Sequence, residues 1–335
     1  MERKLATVVR IADVQPIAGA DAIELASVKG WKVVTRKNEY KVGDLAVYFE
    51  IDSFLPVAPQ FEFLRKTSYK KMGDQEGFRL KTIRLRGQIS QGLLTPVPNT
   101  IFGPITEGDD LTELLHVVKY EAPIPAQLAG KIKCSFPSFI PKTDEIRIQN
   151  FQADTNFSPA GERVYITEKL DGTSFTCYFN KGEFGVCGRN WELTESGDNS
   201  LWNMANLLQL KNKLTLLGKN IALQGELIGN GINGNLYRLR DHKLFIFTGY
   251  DIDTGKRMPF DMLEWILFKL DLQMVPVIDS NTILPKGDIV DYMLLMAEEK
   301  SVINPEVDRE GIVVRGLEKK FSFKAISNKY LMSEK

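Results

Sequence analysis

Glu168-Lys169-Leu170-Asp171-Gly172-Thr173 joins two short apolar runs near the middle of the chain. Before it, Val164 to Thr167 reads as a short strand. After it, Ser174 to Phe179 reads as another, with Phe175, Cys177 and Phe179 on one face and Thr176 and Tyr178 on the other. Lys169 therefore sits where a strand ends and the chain turns, and Asp171 and Gly172 suit that turn. A lysine that is locally desolvated and flanked by cations has a lowered pKa, and a neutral amine is a nucleophile. The same residues also fit a surface hairpin with an ordinary charged turn, and Lys-x-Asp-Gly taken alone favours that reading.

Five more stretches follow in order. Phe184 to Asn190 is strand-like and ends on Arg189-Asn190, where the guanidinium fork suits a phosphate; an edge-strand arginine reads the same way. Ile221 to Gly229 is a strand carrying Glu226 beside glycine, a setting also met at bulges and edges, and an open Gly/Asn loop follows at Asn230 to Asn235. Leu244 to Asp253 is a strand in which Phe245 and Phe247 share a face, so Phe247 reads equally as core. Arg309 to Gly316 enters a buried strand through Gly311, and Phe321 to Tyr330 carries Lys324 fourteen residues beyond Glu310. Pro259 to Leu270 and Ile289 to Glu298 suit amphipathic helices, Leu201 to Leu210 fits a helix, Leu111 to Val118 reads as a short helix, and Glu121 to Ala129, with Pro123 and Pro125, reads as the connector between domains.

The series Lys169-Leu170-Asp171-Gly172, Glu226, Phe247, Glu310 and Lys324 resembles the motifs of the covalent nucleotidyltransferases, the ATP-dependent RNA and DNA ligases and mRNA capping enzymes. Residues 140 to 335 look most like the small RNA ligases that join 3′-OH and 5′-phosphate ends. The leading part looks like the variant with an N-terminal OB domain. The implied fold is a mixed α/β two-domain protein: an OB-like β-barrel over residues 1–130 and a nucleotidyltransferase domain over 131–335, with ATP-grasp-like antiparallel sheets and flanking helices.

The resemblance also implies roles. Lys169 attacks the α-phosphate of ATP and forms a lysyl-nucleotide, which passes AMP to a 5′-phosphate before a 3′-OH displaces it. Lys324 neutralises the α-phosphate. Glu310 supports Mg²⁺ or Mn²⁺, with Asp171 ordering the lysine loop or helping to place the metal. Glu226 bonds the ribose and Phe247 stacks on adenine. Lys142, Thr143, Arg147, Gln149, Glu168 and Arg189 complete the nucleotide contacts, although Arg147 also fits a bracing salt bridge. Related ligases carry a second lysine two residues after Lys324, where this chain has Ile326; either that contact is missing or another cation, such as Lys329, supplies it.

Composition bounds these readings. At 335 residues with 43% hydrophobic and 26% charged residues, the chain accommodates two real cores. A formal net charge of zero disfavours coating a duplex and demands a local basic patch. Phe78 to Leu85 reads as a strand, and Arg79, Lys81, Arg84 and Arg86 run along it and just past its end. With Arg189 and Asn190 they are the candidate RNA contacts, a solvated barrel face being the plainer reading. Three cysteines and two histidines make neither a zinc site nor a disulfide framework. Without a long apolar run or signal peptide, the expectation is a cytoplasmic enzyme acting on RNA, or an RNA-containing duplex, with a 3′-OH/5′-phosphate break. The end at Lys335 leaves no room for the C-terminal OB domain of DNA ligases and capping enzymes. The alternatives are another covalent nucleotidyltransferase and a non-catalytic OB nucleic-acid binder.

Overall fold

The computed structural model describes residues 3–98, 103–121, 130–155 and 157–333. The chain divides into two compact units. The first holds Met1–Pro123, Gln149–Ser158 and Leu331–Lys335; the second holds Ile124–Ile148 and Pro159–Tyr330. Of the connector expected over Glu121 to Ala129, with Pro123 and Pro125, all but Glu121 lies outside the described residues.

Among the described residues, the first unit is built from twelve short strands: β1 (Ala6–Arg10), β2 (Asp13–Pro16), β3 (Ile23–Val28), β4 (Trp31–Arg36), β5 (Leu45–Phe49), β6 (Ser53–Pro56), β7 (Tyr69–Met72), β8 (Gln75–Arg79), β9 (Thr82–Leu85), β10 (Gln88–Gln91), β11 (Leu93–Pro96) and β12 (Val118–Lys119). A four-residue helix, α1 (Arg65–Ser68), precedes β7. They pair as β1-β5-β11, β2-β3-β4, β12-β6-β8-β7 and β9-β10. One core gathers Phe49, Phe61 and Phe78, another Trp31 and Tyr48.

Two expectations are corrected here. The strand expected over Phe78 to Leu85 is two strands. Leu80 breaks it by turning inward, 4% exposed, with its N–H on Ser53 O at 2.9 Å and its carbonyl accepting from Asp52 N at 2.8 Å. The helix expected over Leu111 to Val118 is a run of turns that ends in β12.

Helix α2 (Ile148–Thr155) lends the first unit a second set of buried groups. Phe151 is 2% exposed. Asn150 Oδ1 accepts from Trp31 Nε1 at 2.9 Å, and its Nδ2 donates to Glu50 Oε1. Arg3 Nε closes the chain on Glu50 Oε2 at 2.6 Å. A buried carboxylate needs this company, since without it the desolvation cost is unmatched.

The second unit runs β13 (Ile132–Ser135), β14 (Arg163–Lys169), β15 (Thr173–Asn180), β16 (Glu183–Cys187), β17 (Trp191–Leu193), α3 (Ser200–Leu207), α4 (Leu210–Leu217), β18 (Ile221–Ile228), β19 (Lys243–Asp251), β20 (Lys256–Arg257), α5 (Phe260–Lys269), β21 (Val277–Ile283), α6 (Val290–Ala297), β22 (Gly311–Gly316) and β23 (Ser322–Ile326), and α7 (Asn328–Ser333) begins in it and ends in the first. A seven-stranded sheet has the order β13-β17-β16-β15-β18-β19-β20, and a four-stranded sheet the order β21-β14-β22-β23. Phe175, Cys177 and Phe179 pack with Leu223, Ile246 and residues of α3, α4 and α5, while Tyr178 packs on the opposite face with Ile140 and Ala222. The helix expected over Leu201 to Leu210 stops at Leu207, because Gln209 takes φ 53° and restarts the chain as α4.

The turn after Lys169 is not a hairpin. β14 and β15 belong to different sheets, so Leu170 to Gly172 crosses from one sheet to the other. Gly172 is required there: a Cβ would lie 2.4 Å from Leu227 O and 2.9 Å from Glu226 Cγ. That close approach brings the crossover onto the strand that carries Glu226.

Among the described residues, no helix is long and apolar enough to cross a membrane.

Candidate active site

Lys169 is the last residue of β14, opposite Gly311 on β22. Its Nζ lies 2.6 Å from Glu310 Oε1. Glu310 is fixed from behind, because Ser327 N donates to its carbonyl at 2.9 Å. Burial alone would pull the Lys169 amine down, but the carboxylates of Glu310, Glu226 and Asp171 outweigh it and hold the ammonium above the usual lysine value. This corrects the expectation of a lysine lowered by neighbouring cations: its immediate company is acidic. The same pairing is felt on the other side. Burial raises Glu310, and Lys169 opposes the rise. Burial pushes Glu226 up to about 8, against the pull of Lys169 and with the help of Glu310 and Asp171.

The group with a lowered pKa is Lys324. It stands opposite Val313 in the β22–β23 ladder. Burial, then the charges of Lys169 and Arg147, bring it down to about 7. Arg147 is placed by the backbone: Lys324 N donates to Ile146 O at 2.8 Å, and residues 147 and 324 form a parallel bridge. The segment upstream of α2 therefore lies along β23 and sets a second cation beside Lys324. Ile326, at the position where the resemblance implies a second lysine, is 5% exposed in the ladder opposite Gly311. Lys329 donates to Glu298 O at 3.3 Å instead.

The turn after Lys169 is gripped from the β18–β19 loop. Tyr237 Oη accepts the Asp171 N–H at 2.6 Å, and Asn233 Nδ2 donates to Asp171 Oδ1 at 3.1 Å. Phe247 packs with Phe245, Leu170 and Tyr237, and the β18–β19 register slips between Gln224 and Gly225, leaving Phe247 without a rung of its own. The Arg315 guanidinium lies 5.8 Å over its ring. Arg315 is in turn held by Glu145 Oε1 at 3.1 Å, and Ser322 Oγ donates to Glu145 Oε2 at 2.5 Å.

Other expected residues are placed less centrally. Glu168 alternates away from Lys169, and its Oε2 accepts Val302 N at 2.8 Å. Arg189 pairs with Asp144 Oδ1 at 2.7 Å, and Lys142 Nζ donates to Asn190 Oδ1 at 2.9 Å. Half-buried Thr143 lies between those two latches. Gln149 is buried in α2, within the first unit, and its Oε1 has no hydrogen-bond partner among the described residues.

Of the basic residues in the first unit, Arg79 bonds Asp52 Oδ1 at 2.8 Å and stacks 4.4 Å from the Tyr120 ring centroid. Lys81, Arg84 and Arg86 are exposed on and around the β9–β10 hairpin. Arg84 Nη2 reaches Met332 Sδ at 3.3 Å.

Sequence reasoning missed Asn233, Tyr237, Asp144 and Glu145 as contributors. The glycine-rich character of the 229–235 run was the visible signal for the first two. For Asp144 and Glu145 nothing in the local sequence reveals their partners, which lie 45 and 170 residues away.

The carboxylates around Lys169 form an oxygen-only donor set, which suits a hard divalent cation. Among the described residues, no group of three or more His, Cys, Asp or Glu side chains is disposed to hold a metal. A Mg²⁺-type ion bound through one carboxylate, with water and phosphate oxygens completing its shell, matches that arrangement.

A lysine at a sheet crossover, an acid on its amine, a second acid on the facing strand and a buried lysine opposite define a covalent nucleotidyltransferase. Residues 5–97 match the family model of an OB-fold domain, and residues 162–327 match that of RNA ligase. A search of curated proteins finds no match. Among solved structures, Naegleria gruberi RNA ligase with PPi is 41% identical, with a TM-score of 0.86 and 98% of each chain covered. A lysine-to-methionine mutant of that ligase with AMP and Mn gives 41% identity, a TM-score of 0.87 and the same 98% coverage of both chains. A lysine-to-alanine mutant with ATP and Mn gives 41% and 0.84, covering 98% of this chain and 97% of the other. The chain belongs to the RNA ligase family, as an ATP-dependent ligase with an N-terminal OB-fold domain.

Proposed function

We propose that this ligase seals RNA breaks bearing a 3′-OH and a 5′-phosphate, with Lys169 as the residue that carries AMP. The observation behind the proposal is the Lys169–Glu310 contact of 2.6 Å at the β14 crossover, faced by Lys324. This contact favours the protonated, unreactive amine. A divalent cation held through Glu310 would supply positive charge at the α-phosphate. Were Glu310 so engaged, Lys169 would be freed of its nearest carboxylate and could release a proton. Lys324 and Arg147 then offset the charge that builds on the α-phosphate, Arg147 taking the place that Ile326 leaves. Glu226, protonated over much of the neutral range, can donate to a ribose oxygen as well as accept from one. Phe247, backed by Arg315, offers its ring to adenine, a contact worth about 1–3 kcal/mol by analogy with base stacking. Asp171 serves chiefly to hold the loop. Glu168 anchors β14 to the 301–303 segment. Arg189 and Asn190, with Lys81, Arg84 and Arg86, are the proposed RNA contacts; Arg79 is committed to Asp52 and Tyr120 and braces them.

The test is covalent labelling. With α-labelled ATP and Mg²⁺, one label is expected on Lys169, with little from GTP and none in Lys169→Ala. Chasing the labelled protein with a nicked RNA duplex should move AMP to the 5′-phosphate and then seal it. A label on another lysine would remove the assignment; a stable adduct that seals no RNA end would remove the substrate.

A further inference from the structure

The Gly/Asn run after β18 is a built loop, and nothing in the reaction as described so far uses it. Gly229 takes φ +136°, and a Cβ there would meet Asp241 O at 2.5 Å, so the chain leaves β18 by a path that only glycine permits. Asn235 closes the loop on itself. Its Nδ2 donates to Leu239 O at 2.8 Å and its Oδ1 accepts Leu239 N at 2.9 Å. Asn304 Nδ2 donates to Tyr237 O at 3.2 Å from outside.

Braced in this way, the loop presents two side chains to one target. Asn233 Nδ2 donates both to Asp171 Oδ1, at 3.1 Å, and to Gly172 O. Tyr237 Oη accepts Asp171 N–H at 2.6 Å. The Tyr237 ring is 2% exposed and packs with Leu170. Backbone donor, backbone acceptor and side chain of the crossover are thus all held by one loop, two and three residues beyond the nucleophile.

We propose that Asn233 and Tyr237 are positioning residues for the nucleophile, acting through Asp171 to fix the crossover that carries Lys169. The proposal rests on Lys169 being the adenylylated residue. In that step the Nζ–phosphorus bond forms as the α–β phosphoanhydride bond breaks. Pyrophosphate leaves with the bonding pair, and the amine proton passes to water. The amine must be held near the phosphorus and in line with the leaving group, and a misplacement of about 1 Å can cost on the order of a hundredfold. Lys169 has a long flexible side chain, so the rigidity has to come from its backbone. β14 supplies it on one side and the Asn233–Tyr237 grip on the other.

The experiment uses the full chain with Asn233→Ala, Asn233→Asp and Tyr237→Phe. Two rates are measured: lysyl-AMP formation at saturating ATP, and sealing of a nick whose 5′ end is already adenylylated. The second reaction does not need Lys169 as a nucleophile. Each of Asn233→Ala and Tyr237→Phe is expected to slow adduct formation about tenfold or more, as loss of a hydrogen bond to a charged or buried group would. The KM for ATP and the pre-adenylylated sealing rate should stay within about threefold, a change of less than 1 kcal/mol. Asn233→Asp keeps the shape, loses the donor and faces Asp171 with a second carboxylate; it should be at least as slow as Asn233→Ala. Wild-type labelling rates in the Asn233 variants, or equal losses in both reactions, would overturn the proposal. Should Tyr237→Phe fail to fold, the exposed Asn233 pair still decides it. Absence of label on Lys169 in the unsubstituted chain is a separate result that removes the functional reading and the proposal with it.

Discussion

Lys324 titrates at about 7 because burial disfavours its charge and Lys169 and Arg147 add like charges. A bound polyphosphate favours the ammonium, so its pKa rises on binding. Below pH 7 the free site is already protonated and affinity is flat. Above pH 7 binding takes up a proton, and affinity falls as the pH climbs towards 9, by at most about tenfold per unit. A non-cleavable α,β-methylene analogue of ATP, titrated between pH 6 and 9, checks this. Lys324→Arg should flatten the profile, since a guanidinium stays charged throughout. Glu226, at about 8, titrates in the same window, and a slope that survives in Lys324→Arg would belong to Glu226 instead. Neither value was readable from the chain itself. The sequence places Lys169 at a strand end and Glu310 before a strand, but only the β14–β22 pairing sets their side chains 2.6 Å apart. For the same reason the lysine expected to be lowered is raised, and the lowered one lies 155 residues further on.

At the scale of elements, the strands flanking Lys169 were legible because each is a short run rich in apolar and β-branched residues, and both faces of β15 are covered. The join between them was not. A two-strand reading with Asp171-Gly172 in the middle describes a hairpin, and no local pattern distinguishes a hairpin from a crossover between sheets. Gly172 gives the difference a measurable form. In an exposed hairpin turn, alanine would cost little. Here its Cβ meets a backbone carbonyl at 2.4 Å, and Gly172→Ala is expected to lower stability by about 1–3 kcal/mol, as overpacking does. Adduct formation should slow as well, because the displaced crossover carries Lys169, the proposed nucleophile. Chemical denaturation and the labelling assay report the two effects separately. The basic strand of the first unit was half-legible: its charges were visible, but not the inward turn at Leu80 or the Asp52 and Tyr120 partners of Arg79.

At the scale of the whole molecule, the order of motifs fixed the class, and the division of labour between the units follows from where those motifs fall. Residues 140 to 335 are expected to take the label from ATP without residues 1 to 130, and to lose most of their RNA sealing; failure of a folded fragment to label would assign part of the chemistry to the first unit. The boundary itself was hidden. Residues 149–158 follow the connector in sequence yet belong to the first unit, and nothing in their composition announces it. Asn150 measures what they contribute there. Asn150→Ala strips partners from Trp31 Nε1 and from the Glu50 carboxylate, both buried, and should cost about 2–4 kcal/mol in urea unfolding. The chain is also made from its N-terminus. The OB strands therefore leave the ribosome before Phe151 and Asn150 exist, and they wait through the synthesis of the connector and of β13 for the pieces that complete their core. The same arrangement bears on inheritance. A gene fusion that borrows the OB unit as one continuous cassette, ending ahead of residue 149, would leave behind Asn150, the partner of Trp31 Nε1 and of the Glu50 carboxylate. To travel whole, the OB unit has to take the 149–158 segment with it.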